Sequence, residues 1–307
     1  MPHPPAGLVC EDGHERTLQA QPQSKVTYQV NFLDAIVMGL VQGLTEFLPI
    51  SSSAHLLILG HFLPYAQDPG AAFTAITQIG TEAAVVIYFW RDIVRIIKNF
   101  FLALFGRIPR NDPDARMGWL IIVGSVPIVV LGLVFKTQIE TVARNLWVVA
   151  TTLIVFGIIL GIADAVGRKS RPLEKLTIGQ GIIFGLAQAL ALIPGVSRSG
   201  GTISAGLFMG FTRAAAARYS FLLAIPAVLG SGFFELYSSI KDHTLTATVG
   251  IPQTVVATVV AFVVGFGVIA FLMRWLNTKS FLPFVIYRIL LGMVLIILLG
   301  FGLISAT

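Results

Sequence analysis

The chain has 307 residues, of which 55% are hydrophobic and only 12% charged, with a mean hydropathy of +0.84. Soluble globular proteins carry about 25% charged residues, so the composition excludes an ordinary soluble enzyme, a disordered chain and a nucleic-acid binder of the usual kind. A net charge of +6 over so few ionisable groups fits basic loops at a membrane surface, and the chain reads as an all-α, polytopic integral membrane protein.

Residues 1–31 are polar, with Pro2, Pro4, Pro5, His3, His14 and a patch around Gln19, Gln21 and Gln23. They lack the basic segment followed by an apolar run that marks a signal peptide, and a disordered tail is expected. The one cysteine, Cys10, lies there, which leaves no disulfide framework and no Cys-based metal site. Residues 32–307 read as a single membrane domain. A bilayer span takes about 20 helical residues, and uninterrupted apolar candidates fall at roughly 71–90, 119–136, 147–163, 219–237, 251–273 and 281–304.

Two further apolar stretches, about 35–63 and 177–211, are broken midway. The first break is Pro49-Ile50-Ser51-Ser52-Ser53; the second runs from Pro194 through Gly195, Val196, Ser197, Arg198 and Ser199 to Gly200 and Gly201. Irregular backbone at membrane depth is tolerated only where it faces protein or water, so these breaks are the places to look for chemistry. They also resemble each other. Gly39-Leu40-Val41-Gln42 aligns with Gly185-Leu186-Ala187-Gln188 at an offset of 146, which also pairs Ser51 with Ser197 and Ser53 with Ser199. The prolines miss this register by one residue. An internal duplication follows, with repeat A at about 35–163 and repeat B at about 177–304.

Charge placement orients the repeats. Arg91, Arg95, Lys98, Arg107, Arg110 and Arg116 mark a cytoplasmic loop, as do Arg168, Lys169, Arg171 and Lys175 two spans later. Arg213, Arg218, Arg274 and Lys279 join them on the inside only if 177–211 re-enters on its own side. By the repeat, 35–63 re-enters from the outside. The expected architecture is six transmembrane helices plus two re-entrant helical hairpins in an inverted-topology repeat, with both termini outside. In such folds the binding site lies where the broken helices meet.

The polar residues at the breaks suggest that site's chemistry. Gln42 and Glu46 share a helix face, and a carboxylate inside a membrane costs a few kcal/mol even on the lenient insertion scale. Glu46 is therefore read as a metal ligand or an acid/base rather than a helix-end group bonded to a serine. Ser51, Ser52 and Ser53 suit capping of the next half-helix. His55, three residues from Ser52 and four from Ser51, adds a base near a hydroxyl; His61 lacks such company. In the second break Ser197, Arg198, Ser199, Gly200, Gly201 and Thr202 open a half-helix whose free N–H groups favour anions, and Arg198 offers a fork suited to phosphate. A carboxylate beside an anion site further suggests a hard divalent cation shared with phosphate. Together these parts suit hydrolysis of a phosphate ester or anhydride on a membrane-embedded substrate. Glu82 and Arg288 are also intramembrane; pairing with each other, lining the cavity and, for Glu82, an idle protonated state all stay open, and neither is assigned to catalysis.

The segment from Gly39 to Leu56 resembles the first signature of the undecaprenyl-pyrophosphate phosphatase family, the bacitracin-resistance proteins, and Pro194–Thr202 resembles its second. Phe221–Pro226 and Pro283–Arg288 are similar to later family segments, and the resemblance covers about residues 32–304. It implies hydrolysis of the C55 prenyl diphosphate to the monophosphate and inorganic phosphate, recycling the cell-wall lipid carrier. It also implies a multi-pass protein of the bacterial cell membrane, a site open to the outer face and a Mg or Ca requirement. Carried over by position, Glu46 serves the metal or a proton, and Ser52 and His55 are nucleophile and base, in either order. Arg198, flanked by Ser197 and Ser199, holds the phosphates, and Thr202 lines the pocket. Ser51, Ser53, Gly200, Gly201 and Gln42 complete the expected substrate-binding set. Gln42 stands where many members have a second glutamate, Ala54 where a glycine is common, and Glu82 where an apolar residue is usual; the polar tail is longer than the family's. A homodimer is compatible with this reading and nucleic acid is not a partner. The competing reading is a transporter or flippase of the lipid carrier, since inverted repeats with broken helices also build transporters; a bare scaffold leaves the clustered Glu, His and Arg unexplained.

Overall fold

The structure, a computed structural model, describes residues 31–62, 70–135, 138–139, 145–242 and 250–306. The expected disordered tail, with Cys10, lies outside the described residues except for Asn31. The chain runs through α1 (Phe32–Thr45), α2 (Ser52–Phe62), α3 (Gly70–Tyr88), α4 (Trp90–Leu104), α5 (Pro113–Val134), α6 (Leu146–Val166), α7 (Ile178–Ala189), α8 (Arg198–Phe208), α9 (Arg213–Lys241), α10 (Ile251–Trp275) and α11 (Leu282–Gly300). Extended pairing among the described residues is limited to an isolated bridge between Arg171 and Phe211. The protein is all-helical.

Among the described residues five helices, α5, α6, α9, α10 and α11, are long and apolar enough by themselves to cross a membrane, and α3 meets the test together with α4. The expected span at 71–90 coincides with α3; the segment after it differs from its sequence reading. Helix α3 ends at Tyr88, and after a bend of 79° the chain continues as α4, where a loop was expected. The reason lies in the periodicity. Trp90, Val94, Ile97 and Phe101 recur at helical spacing and are exposed, with Arg91, Arg95 and Lys98 between them. Such a helix is amphipathic and favours lying along an interface over crossing it.

Both broken segments fold back on themselves. In the first, Leu56 of α2 packs against Ala35 and Met38 of α1. In the second, the N–H groups of Ser170 and Arg171 donate to the Gly210 carbonyl (3.1 and 2.9 Å), and the Thr212 N–H donates to the Arg171 carbonyl (3.0 Å). The chain therefore enters α7 and leaves α8 at the same end of the molecule.

The two broken segments also pack alike. Helix α1 lies against α10 and α7 against α5, and each pair closes on a glycine at the same repeat position. A Cβ on Gly39 would stand 2.4 Å from the Ala257 carbonyl oxygen, and one on Gly185 would stand 2.3 Å from that of Gly124. Only glycine permits either approach. Without water to drive association, close backbone packing of this kind is a main source of cohesion between membrane helices.

Basic segments that are distant in sequence gather at one end. Arg218 pairs with Asp92 (2.5 Å), Arg95 with Asp114 (2.8 Å) and Arg213 with Asp164 (2.6 Å). The other Asp164 oxygen accepts the Phe281 N–H (3.0 Å), and Arg116 donates to the Leu176 carbonyl (3.1 Å). The beginnings of α5, α9 and α11 and the end of α6 are thus pinned together.

Candidate active site

The two breaks meet inside the bundle, and their backbones take the same form. Ser51 and Ser197, the paired positions of the repeat, have φ of 76° and 70°, a region that non-glycine residues rarely adopt. In each turn the serine hydroxyl accepts the backbone N–H three residues on, Ala54 at 3.4 Å and Gly200 at 3.1 Å, which caps the following half-helix. In each turn it also lies 3.2 Å from the hydroxyl two residues on, Ser53 or Ser199. Backbone strain of this kind costs about 1–3 kcal/mol and persists where surrounding structure over-determines it.

Arg288 supplies that over-determination. Its side chain is wholly buried in α11, where Nη1 donates to the Pro49 carbonyl (2.9 Å) and Nη2 to those of Gly195 (2.8 Å) and Val196 (3.0 Å). Nε donates to Leu153 of α6 (3.2 Å). One guanidinium thus ties the first turn, the second turn and α6 together. The pairing of Arg288 with Glu82 that the sequence left open does not occur.

Glu46 is the hub of the side chains. Its Oε2 accepts hydrogen bonds from Gln42 Nε2 (2.7 Å) and Ser52 Oγ (2.6 Å), and its Oε1 pairs with Arg198 Nη2 (2.8 Å). The carboxylate from one half of the molecule thereby meets the guanidinium from the other. Both are largely buried, so leaving either without its partner would be costly. The second nitrogen of Arg198, Nη1, faces Glu82 Oε2 of α3 at 3.6 Å.

Ser52 and His55 do not meet in the way their spacing suggests. The Ser52 hydroxyl is committed to Glu46. His55 Nδ1 lies 2.7 Å from the Ser51 carbonyl, which only an N–H can satisfy, so Nε2 accepts from the Tyr287 hydroxyl at 2.7 Å. The histidine thus holds the strained Ser51 peptide, and Glu46 takes the place expected of it beside Ser52. The physical reason is direction: on α2, residue 52 looks back across the break to α1, whereas residue 55 looks toward α11.

A cavity of about 530 Å³ opens above this centre. Its floor carries Glu46, Ser51, Ser52, Ser53, Ser197 and Arg198, and its walls are largely apolar side chains of α5 and α9, with Ser231 and Glu235 of α9 and Gln78 of α3 adding polar groups. The remaining expected binding residues do not line it. Gln42 is fully buried and donates to Glu46; Ser199 donates to the Leu48 carbonyl (3.3 Å). Thr202, expected at the pocket wall, is fully buried, donates to the Arg198 carbonyl (2.7 Å) and bonds the Ser220 hydroxyl. Gly200 and Gly201 are buried in the second half-helix, where Gly200 lies against Arg288. These residues shape Ser197 and Arg198 from behind.

Sequence reasoning missed Gln78 and Tyr287 and left Glu82 and Arg288 without a role. For α3 a signal was present: Gln78 and Glu82 repeat the four-residue Gln–Glu spacing of Gln42 and Glu46. Nothing local distinguishes Tyr287, whose partner lies 232 residues away.

Among the described residues no three His, Cys, Asp or Glu side chains converge to hold a metal ion, and both Glu46 oxygens are already engaged. A divalent cation here would have to take most of its ligands from substrate phosphates, a mode common for Mg²⁺.

A bundle of apolar helices with a carboxylate, a hydroxyl and an arginine converging on two broken helices defines a membrane protein built to handle a phosphorylated lipid. Residues 35–294 match the model of the family described as bacitracin resistance protein BacA, and the chain belongs to that family. It is 65% identical to the undecaprenyl-diphosphatase of Micrococcus luteus over 277 residues, which cover 90% of this chain and 100% of the relative. Identity to the undecaprenyl-diphosphatase of Paenarthrobacter aurescens is 63% with the same coverage. With undecaprenyl-diphosphatase 2 of Agrobacterium fabrum it is 59%, over 90% of this chain and 99% of the relative.

Proposed function

We propose that this protein is an undecaprenyl-diphosphatase that hydrolyses the C55 prenyl diphosphate to the monophosphate and inorganic phosphate. The observation that carries the mechanism is the Ser52–Glu46–Arg198 chain of contacts on the cavity floor. Arg198 and the N–H groups that open α8 bind the terminal phosphate. Glu46, 2.6 Å from the Ser52 hydroxyl, takes its proton as Ser52 Oγ attacks the terminal phosphorus. The Oγ–P bond forms, the bridging P–O bond breaks, and prenyl monophosphate leaves. Glu46 passes that proton to the departing monophosphate and, ionised again, takes one from the water that attacks the phosphoserine, returning it to Ser52 Oγ as inorganic phosphate leaves. Arg198 offsets the charge that builds on the phosphoryl oxygens.

The apolar cavity walls give the first isoprene units a path from the site into the bilayer. A divalent cation carried in with the diphosphate, held by Glu46 and phosphate oxygens, would neutralise phosphate charge. The protein is a multi-pass membrane protein, and we assign it to the bacterial cell membrane with the site facing outward. The support is polarity along two helices. The basic segments cluster where α5 and α9 begin, whereas the cavity is lined by their far halves, from Ile128 to Leu133 and from Pro226 to Glu235. The positive-inside rule puts the basic end in the cytoplasm. Opposed re-entrant hairpins are the membrane form of the two folded-back segments.

The test is phosphate release from C55 prenyl diphosphate by the purified protein in detergent, with and without chelator. Release by the wild type and its loss in Arg198→Ala and Glu46→Ala support the reading. Movement of the lipid between leaflets of reconstituted vesicles without hydrolysis would instead establish a transporter.

A further inference from the structure

Three polar atoms at the base of the site are buried with no hydrogen-bond partner among the described residues: both carboxylate oxygens of Glu82 and Nη1 of Arg198. They are adjacent, with Glu82 Oε2 and Arg198 Nη1 3.6 Å apart. Buried polar groups that go unsatisfied cost about 1–3 kcal/mol each, and an ionisable residue deep in a membrane protein is seldom retained without a role. Replacing Glu82 by a well-packed apolar side chain would remove that cost, so stability does not explain its presence.

Position narrows the role. Gln78, one turn earlier on α3, lines the cavity, whereas Glu82 does not and is wholly inaccessible. It therefore meets Arg198 from beneath, out of reach of anything bound above. Glu46 holds Nη2 of the same guanidinium at 2.8 Å. Two carboxylates from different helices thus grip different nitrogens of one planar group, which fixes the plane as well as the position.

We propose that Glu82 is a positioning residue for Arg198, a second anchor that meets Nη1 from beneath while Glu46 holds Nη2, so that the guanidinium stays oriented toward the terminal phosphate. The inference rests on the phosphatase reading and adds a residue to it.

The test compares Glu82→Gln, Glu82→Leu and Glu82→Asp with the wild type in the phosphate-release assay, alongside thermal unfolding in the same detergent. Misplacing a catalytic group by about 1 Å costs up to about a hundredfold in rate; we expect Glu82→Gln and Glu82→Leu to lose about tenfold or more in kcat. Their unfolding temperatures should stay close to the wild type's, because Glu46 still pairs Arg198 and two unsatisfied buried oxygens are replaced. Glu82→Asp, which keeps the carboxyl group, should recover at least half of the lost rate. Wild-type rates in Glu82→Gln or Glu82→Leu, a rate loss matched by a fall in unfolding temperature, or no recovery in Glu82→Asp would each overturn the proposal. An inactive wild type would instead overturn the phosphatase reading.

Discussion

The two hairpin turns share a backbone and divide the chemistry. At paired positions Ser51 and Ser197 adopt the same left-handed φ, cap the next half-helix and approach the hydroxyl two residues on. One step further, the same repeat position holds Ser52 in the first turn and Arg198 in the second. The position of Glu46 is taken by Leu192. One turn thus supplies carboxylate and hydroxyl, the other the cation. One strained turn serves as the mount in both halves, and the chemistry comes from filling equivalent positions with complementary side chains. The fold brings those positions together, so that Glu46 and Arg198 meet at 2.8 Å despite lying 152 residues apart.

Breaking the complementary side chains should have the largest effect. Ser52→Ala and Glu46→Ala each remove one end of the proposed proton transfer and should lower kcat by about a thousandfold or more. Arg198→Ala should cost on the order of a hundredfold to a thousandfold, the usual effect of removing one donor to a developing oxyanion. Arg198→Lys should remain well below wild type, since an ammonium cannot serve two carboxylates and a phosphate with fixed planar geometry. Initial rates of phosphate release measure all four. If Ser52→Ala keeps a rate near the wild type's, water rather than serine attacks and the first turn contributes only its carboxylate.

Much of this arrangement was legible because charge is so scarce. In an apolar chain Glu46, His55 and Arg198 stand out, the breaks stand out as Pro/Ser/Gly clusters, and the 146-residue offset links them. The fold class, the broken segments and the orientation of the basic loops follow from those signals. What stayed hidden depends on direction and on distant contact. Spacing along α2 puts Ser52 and His55 within one turn, but it does not reveal that Ser52 turns to Glu46 and His55 to Tyr287. Arg288 reads as one ionisable residue in a span because its partners are carbonyls, which every residue carries. Helix α4 reads as a loop by its charges, and only the helical spacing of Trp90, Val94, Ile97 and Phe101 marks it as an amphipathic helix.

Arg288 offers the next test, since it is what makes two separate turns behave as one site. Hydrogen bonds from a charged donor contribute about 1.5–3 kcal/mol each. Loss of those to Pro49, Gly195, Val196 and Leu153 leaves strained carbonyls buried and unpaired. Arg288→Met, similar in length and apolar, should lower the unfolding temperature in detergent by several degrees and the rate by more than tenfold. Arg288→Lys reaches only some of the carbonyls and should fall between. A stable, active Arg288→Met would mean that each turn holds its own conformation without the tie.

The smallest expected effect discriminates most sharply between the halves. Gln42 and Gln188 are equivalent and equally buried, yet Gln42 donates to Glu46 at 2.7 Å while both amide atoms of Gln188 are unpartnered among the described residues. The cause is the carboxylate four residues on, present as Glu46 and replaced by Leu192. Gln42→Leu strips a donor from a buried carboxylate and should slow the reaction by about tenfold, in keeping with about 1–3 kcal/mol for an unmade buried bond. Gln188→Leu removes a group that bonds nothing and should leave kcat within about twofold, with an unfolding temperature at or above that of the wild type. Matched rates and unfolding temperatures for the two variants would decide it. Equal damage from both would show that the second glutamine has a partner in the working enzyme, and that the halves have diverged less than their side chains suggest.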